Sequence, residues 1–236
     1  MQSRIFRAGW KFLDILFPPC CAGCGEWGER YCQTCINRTK TIKSKICQIC
    51  GEPMSLENVS VCERCSTSKV YFTAVRSWGL FEDPLKQAIH QLKYQRNVGL
   101  GEELAWHLAR LLIDNEWDID LITAIPLDKK RKKERGFNQS DLLARPLSWL
   151  TDIPYTNNAV SRNRETKSQV GLSRKERNKN MIGAFSSLPD KIAGKSVLVV
   201  DDVITTGSTI NACSKAMIES GAAKVFGLTL ARSAHL

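Results

Sequence analysis

Apolar positions recur along this chain of 236 residues in two periods, and one stretch follows neither. Phe6, Trp10, Leu13 and Phe17 fall at helical spacing, with Arg4, Arg7 and Lys11 elsewhere. An amphipathic helix is therefore predicted over residues 1–19, ended by Pro18 and Pro19. Beyond residue 70, Leu85, Ile89 and Leu92 form a stripe behind Asp83 and Pro84, which suit an N-cap and a first turn. Leu104, Leu108 and Leu111 repeat the stripe in a second helix. Residues 120–127 read as a short strand, and residues 140–150 as a helix that Pro146 kinks or breaks. Val197 to Val200 is a continuous β-branched and Leu run, the mark of a parallel strand buried on both faces. A helix over residues 210–221 and a last strand over 225–231 follow. Helix and strand alternate, so residues 71–236 are predicted to form an α/β domain.

Residues 20–70 keep no period because cysteine dominates them: nine of the ten cysteines lie between Cys20 and Cys65. Eight form four Cys-x-x-Cys pairs, Cys21/Cys24, Cys32/Cys35, Cys47/Cys50 and Cys62/Cys65. Two residues between thiolates let both sulfurs reach one tetrahedral zinc, and two such knuckles complete a four-sulfur structural site. Gly25 follows Cys24 and Gly51 follows Cys50, while the other pairs lack the glycine, so one motif occurs twice. A double zinc ribbon is predicted, with Cys21, Cys24, Cys32 and Cys35 on one metal and Cys47, Cys50, Cys62 and Cys65 on the other. A cross-braced pairing meets the same spacing. Cys20 is left over, and Cys213, at helical spacing from Ile210 and Met217, reads as a small buried hydrophobe.

Disulfides are disfavoured because no export signal is evident. Lys11 and Asp14 interrupt the first apolar run, and no small-residue cleavage site follows. No stretch approaches the length of a membrane span. A cytoplasmic chain is expected, with the N-terminal stripe packed on the body of the protein or lying on the inner face of the membrane.

Candidate chemistry concentrates in residues 195–210, KSVLVVDDVITTGSTI. Asp201 and Asp202 stand at the carboxyl end of the predicted strand, the edge where open α/β sheets take ligands. Thr205, Thr206, Gly207, Ser208 and Thr209 follow, supplying a glycine for close approach, four hydroxyls and a helix N-terminus that favours a phosphate. Two adjacent carboxylates repel a phosphate, so they are expected to face vicinal hydroxyls, and a sugar phosphate fits both halves. Either half alone would read as a turn, a magnesium site or a cap. There is no GxxxxGK[ST] and no GxGxxG, which leaves ATPase and dinucleotide readings without an anchor.

VLVVDDVITTGST resembles the 5-phosphoribosyl-1-pyrophosphate (PRPP) signature of type I phosphoribosyltransferases. The resemblance extends over nearly the whole chain: the cysteine repeat, AIPLDKKRKKERGFNQS, SRNRETKSQVGLSRKERNKNMIGAF and the PRPP signature together are similar to the ComF family of competence-associated proteins. It implies a mostly parallel sheet with flanking helices, and a pentosyl transfer from PRPP whose acceptor the sequence does not name. Asp201 and Asp202 would hold the ribose 2- and 3-hydroxyls, and Thr205, Thr206, Gly207, Ser208 and Thr209 would wrap the 5-phosphate. Residues 129–136 would form a pyrophosphate loop, with backbone N–H groups around Arg135 and Gly136 receiving the leaving group. Residues 162–179 resemble the lid, and Arg135, Arg164 and Lys167 are the candidate catalytic cations. Mg2+ is expected to travel with PRPP, beside two structural Zn2+ sites. The family's association with natural transformation implies single-stranded DNA and other DNA-uptake proteins as partners.

The charge sharpens this picture. Lys and Arg exceed Asp and Glu by ten. Residues 129–136 hold six basic residues against one acid and residues 162–179 hold seven against two, so these two segments account for the whole excess. A second reading follows from them: a non-catalytic single-stranded nucleic-acid binding protein using the same fold. Only five residues follow the last predicted strand, so the acceptor is expected to meet the N-terminal half, with His90, Lys93 and Tyr94 as candidates.

Overall fold

The computed structural model describes residues 18–43, 45–55, 59–95, 97–163, 181 and 183–233, and the stripe of Phe6, Trp10, Leu13 and Phe17 lies outside them. Two short helices, α1 (Gln33–Arg38) and α2 (Glu63–Thr67), start at Cys32 and Cys62 as N-caps and carry Cys35 and Cys65. The chain continues through β1 (Ala74–Leu80), α3 (Leu85–Tyr94), α4 (Val98–Asp114), β2 (Leu121–Ala124), α5 (Lys129–Arg135) and α6 (Gln139–Thr151). After these come β3 (Val160–Arg162), β4 (Phe185–Ser187), α7 (Pro189–Ile192), β5 (Ser196–Ile204), α8 (Ser208–Glu219) and β6 (Lys224–Arg232).

The main sheet has the order β1-β6-β5-β2 with every pair parallel, and β3 with β4 forms a separate antiparallel ribbon. β5 lies inside the sheet, and Val197 to Val200 are buried on both faces as their apolar run predicts. Successive side chains alternate between faces. Leu198 and Val200 join Leu85 and Ile89 of α3, Leu104 and Leu108 of α4 and Leu143 of α6. Val197 and Val199 meet Ile210, Cys213 and Met217 of α8 on the other side.

The two cysteine sets divide between the same faces. Cys21 and Cys35 belong to the first apolar cluster, and Cys47, Cys50 and Cys65 to the second. The segment between the sets, with the first knuckle of the second, covers the outer edge of β1: Leu80 N–H donates to the Lys40 carbonyl at 2.9 Å, Ile42 N–H to Trp78 at 3.0 Å and Val75 N–H to Ile49 at 2.7 Å. An edge that would otherwise present open backbone groups is closed by the ribbon chain itself.

Three features depart from the pattern in the sequence, the last two for a tertiary reason. At α3 it is Pro84 that occupies the N-cap, with helical dihedrals, while the Asp83 carboxylate accepts from Gln87 Nε2 at 3.3 Å. Pro146 does not break α6. A helical proline leaves the carbonyl four residues back, here Leu142, without its usual donor. α4 presents Gly101 at that point, where a Cβ would stand 2.6 Å from the Leu142 oxygen, so the missing side chain lets the α4 backbone close on it. β5 runs past Val200 to Ile204 because β6 goes on pairing, Asp201 with Thr229, Val203 with Ala231 and Ile204 with Arg232. Among the described residues, no helix is long and apolar enough to cross a membrane.

Candidate functional site

The Sγ atoms of Cys21, Cys24, Cys32 and Cys35 lie within 4.8 Å of one another, as do those of Cys47, Cys50, Cys62 and Cys65, so the sets are sequential and not cross-braced. Gly25 and Gly51 take φ of 83° and 71°. That left-handed turn lets them donate N–H to the Cys21 and Cys47 carbonyls at 2.8 Å. Other N–H groups aim at sulfur: Gly23 and Cys32 at Cys21 Sγ (3.4 and 3.3 Å), and Cys62 at Cys47 Sγ (3.3 Å). Burial raises the Cys21 thiol, but the N–H groups of Cys32, Cys24 and Gly23 outweigh it and bring the pKa down to about 6. Against the same burial, Cys50, Cys62 and Ile49 bring Cys47 down to about 7. Cys35 and Cys65 are pushed up, by burial and then by neighbouring sulfurs. Four sulfurs this close shed all their protons only around a cation, and a soft tetrahedral donor set suits zinc. The two clusters fit two structural zinc sites.

At the carboxyl edge of the parallel sheet a cavity of about 720 Å³ opens beside the end of β5. Asp201, Asp202, Thr205 and Thr209 line one side, Lys93 and Tyr94 of α3 another, and Arg131, Glu134 and Arg135 of α5 with Arg162 of β3 complete it. Asp202 is buried. Ser140 Oγ donates to Asp201 Oδ1 at 3.0 Å, and the Asp202 N–H donates to the same oxygen at 2.9 Å. Lys93 Nζ lies 3.3 Å from Asp202 Oδ2. Burial, and then the adjacent Asp202 charge, push Asp201 up to about 7 despite these donors. The acidic pair thus carries less than two full charges near neutral pH.

Behind the carboxylates, Gly207 (φ 79°) forms the N-cap of the 12-residue α8. Thr206 Oγ1 and Ser208 Oγ share a 2.7 Å hydrogen bond. The first turn of α8 therefore faces residues 205–209 with its N–H groups and positive dipole end. Arg64 of α2 reaches this turn from the second cysteine cluster, donating from Nη1 to the Thr206 carbonyl at 3.3 Å and from Nη2 to Cys50 Sγ at 2.9 Å.

Residues 129–135 are helix α5 and not a loop. Asp128 Oδ1 caps it by accepting from the Arg131 N–H at 2.9 Å. Gly136 (φ 75°) ends it by donating its N–H to the Lys132 carbonyl at 2.8 Å. The Gly136 N–H expected to meet a leaving group is thus engaged in the helix end. Helical spacing turns Arg131, Glu134 and Arg135 to the cavity and leaves Lys130, Lys132 and Lys133 exposed. Arg135 Nη1 donates to Gln139 Oε1 at 2.8 Å, and its guanidinium lies 5.1 Å from the Tyr94 ring. Arg164 and Lys167 lie outside the described residues. His90 is exposed, with its ring 4.6 Å from Tyr94.

Sequence reasoning gives no role to Asn138, Gln139 and Ser140, yet all three are buried. Asn138 Nδ2 donates to the Ile125 carbonyl at 3.0 Å while its Oδ1 accepts the Ser140 N–H at 3.2 Å. Gln139 steers Arg135 and Ser140 steers Asp201. Three consecutive uncharged polar residues opening a helix were the available signal.

Residues 133–235 match the phosphoribosyl transferase domain family and residues 12–66 match the double zinc ribbon domain. The class is thus a zinc ribbon joined to a phosphoribosyltransferase-type α/β fold. Over 211 residues the chain is 35% identical to the DNA utilization protein YhgH of Escherichia coli strain K12, covering 85% of this chain and 88% of that one. It is 34% identical over 207 residues to competence protein F of Haemophilus influenzae, covering 84% and 90%. This chain belongs to the ComF family. It is also similar to a solved allosteric regulatory enzyme of purine biosynthesis, at 19% identity and a TM-score of 0.41 over 60% of this chain and 30% of that one.

Proposed function

We propose that this chain binds PRPP, or a closely related sugar phosphate, with Mg2+ in the cavity at the end of β5, and serves DNA uptake as a phosphoribosyltransferase-type protein. The observation that carries the reading is the union of an acidic pair and a Gly-centred, hydroxyl-rich helix start on one cavity ringed by Lys93, Arg131, Arg135 and Arg162. In this reading Asp201 and Asp202 hold the ribose hydroxyls, and Thr205, Thr206, Gly207, Ser208 and Thr209 surround the 5-phosphate. Arg135 faces the pyrophosphate, and Arg164 and Lys167 are assigned to the lid. Mg2+ would neutralise pyrophosphate oxygens, and Glu134 with the acidic pair supplies oxygen donors suited to that hard cation. Cations fixed around a departing pyrophosphate favour the transition state, where its charge grows. The cytoplasm, at the inner face of the membrane, is the proposed place of action, beside other DNA-uptake proteins.

Calorimetry of PRPP into the zinc-loaded chain, with and without Mg2+, tests the reading. Magnesium-dependent binding in the micromolar range is expected, and no binding heat in either buffer sinks it. Pyrophosphate release against a panel of bases, nucleotides and single-stranded DNA would then identify the acceptor.

The exposed lysines of α5 favour a second reading alongside the first: a strip for single-stranded DNA outside the cavity. Replacing Lys130, Lys132 and Lys133 by Gln is expected to flatten the salt dependence of DNA binding by about 2 in log–log slope, at ~0.7 per phosphate contact. PRPP affinity is expected to stay within about twofold, because these side chains face solvent. Unchanged DNA affinity and salt slope in that variant, measured by fluorescence anisotropy, would remove the strip.

A further inference from the structure

The two ribbons repeat one motif but are connected to the rest of the chain differently. In Cys-x-x-Cys-Gly-Glu followed by Cys-x-x-Cys, Glu26 corresponds to Glu52 and Thr34 to Arg64. Glu26 and Thr34 are exposed. Their counterparts are drawn inward: Glu52 Oε2 lies 2.6 Å from Arg232 Nη1 and 3.3 Å from Arg64 Nη2. Arg232 is fully buried at the end of β6, pairs in register with Ile204 and donates to the Cys50 carbonyl. Arg64 bridges Cys50 Sγ and the Thr206 carbonyl. The chain leaving the second ribbon grips α8 as well, since Asn211 accepts the Tyr71 N–H at 2.8 Å and donates to the Lys69 carbonyl at 3.2 Å. The first ribbon rests instead against α3, with Gln91 Nε2 donating to the Ala22 carbonyl at 3.5 Å.

We infer that Arg64 is a positioning residue coupling the second cysteine cluster to the turn at residues 205–209, so that metal occupancy of that cluster sets how tightly the turn holds a phosphate group. The inference rests on the phosphate reading of that turn proposed above. A peptide unit is planar and trans, so fixing the direction of the Thr206 carbonyl fixes the Gly207 N–H in the opposite direction. Arg64 can fix that carbonyl only while its other nitrogen is anchored. Two anchors hold it, Cys50 Sγ at 2.9 Å and Glu52 Oε2 at 3.3 Å, and the closer is the sulfur, whose charge and place a bound metal would hold as an outer-shell contact to a metal ligand. Without the sulfur anchor the guanidinium keeps only the longer contact to Glu52, regains part of its rotamer freedom and holds the carbonyl less firmly. Coupling of this kind is reciprocal: a ligand on the turn must also tighten the hold of the second cluster on its metal.

Arg64→Thr, which installs the residue the first ribbon carries, and Arg64→Lys, which keeps the charge without the fork, test the coupling in the full zinc-loaded chain. PRPP affinity is measured by calorimetry, zinc content by metal analysis, and zinc loss by transfer to a coloured chelator. Arg64→Thr is expected to retain both zinc ions, as in the wild type, and to bind PRPP about tenfold more weakly, the effect of one hydrogen bond from a charged donor. Arg64→Lys is expected to recover part of that loss. In the wild type, saturating PRPP is expected to slow the loss of one zinc ion of the two about tenfold, a protection absent in Arg64→Thr. Wild-type affinity in Arg64→Thr, or zinc loss indifferent to PRPP in the wild type, overturns the coupling and leaves the phosphate reading standing. Absence of PRPP binding by the wild type overturns both.

Discussion

Asp201→Asn is expected to weaken PRPP binding at least tenfold and yet to raise the melting temperature at pH 8. Each hydrogen bond to a charged group contributes about 1.5–3 kcal/mol, so one carboxylate lost from a pair of ribose hydroxyls is a loss of tenfold or more, and Asp201→Asn with Asp202→Asn is expected to exceed about 100-fold. Stability moves the other way in the single variant because Asp201 is raised to about 7, first by burial and then by Asp202. The folded chain therefore keeps a proton that the unfolded chain releases between about pH 4 and pH 7, so stability falls as pH rises through that window. Above it a partly buried charge is carried whole. Asn reproduces the neutral acid and still accepts from Ser140 and the Asp202 N–H. A gain of about 2–4 °C at pH 8, as ~1 kcal/mol gives in a chain of this size, is expected, with none at pH 5 where the wild-type carboxyl already holds its proton. Thermal melts at the two pH values and calorimetry at pH 8 check it. A lower melting point at pH 8, or unchanged affinity, would refute the role given to this carboxyl.

The opposite signs of those two effects explain why the site was legible before its surroundings were. Two carboxylates at a strand end, followed by a glycine and four hydroxyls, stabilise no core and cap no turn efficiently, so the sequence displays them as chemistry. Lys93 is singled out in the sequence only as a candidate contact for the acceptor, and nothing there marks its pairing with Asp202. It sits on an amphipathic helix like any surface lysine, and only the docking of α3 brings its Nζ to 3.3 Å from Asp202. Residues 129–136 misled for a different reason. The family resemblance implies a pyrophosphate loop there, although Asp128 before the run and Gly136 after it are helix start and stop signals visible in the sequence. Cations are good helix formers when solvent takes Lys130, Lys132 and Lys133 and a cavity takes Arg131 and Arg135. Strand ends behaved likewise. Asp201 and Asp202 end the apolar run and so the predicted strand, but β6 continues beside them and carries the sheet past both. Cysteine spacing alone leaves two pairings of the knuckles open, the repeated motif favours the sequential one, and the sulfur positions agree with it.

Stripping both metals is expected to unfold the whole chain and not only its N-terminal segment. Were the ribbons an appended module, the parallel sheet would survive their loss. Cys21 and Cys35, however, are part of the apolar cluster that covers one face of the sheet, and Cys47, Cys50 and Cys65 are part of the cluster on the other. The chain between them closes the edge of β1, and the buried guanidinium of Arg232 has its carboxylate partner, Glu52, in the second ribbon. Freeing the ribbons would strand that charge in the interior, open the edge and expose both apolar clusters together. Structural zinc contributes about 10–16 kcal/mol of apparent binding energy, as much as the whole stability of an ordinary domain at about 5–15 kcal/mol. A fall in melting temperature of more than about 20 °C, at ~2–4 °C per kcal/mol, is expected on removing both ions, with loss of far-ultraviolet helix signal in step with zinc release. Circular dichroism during titration with a thiol-directed mercurial, zinc being followed in the same cuvette, makes the measurement. A metal-free chain that keeps its helix signal and melts cooperatively within a few degrees of the zinc form would show that the sheet holds its own core, and that the cysteines lie on it without supporting it.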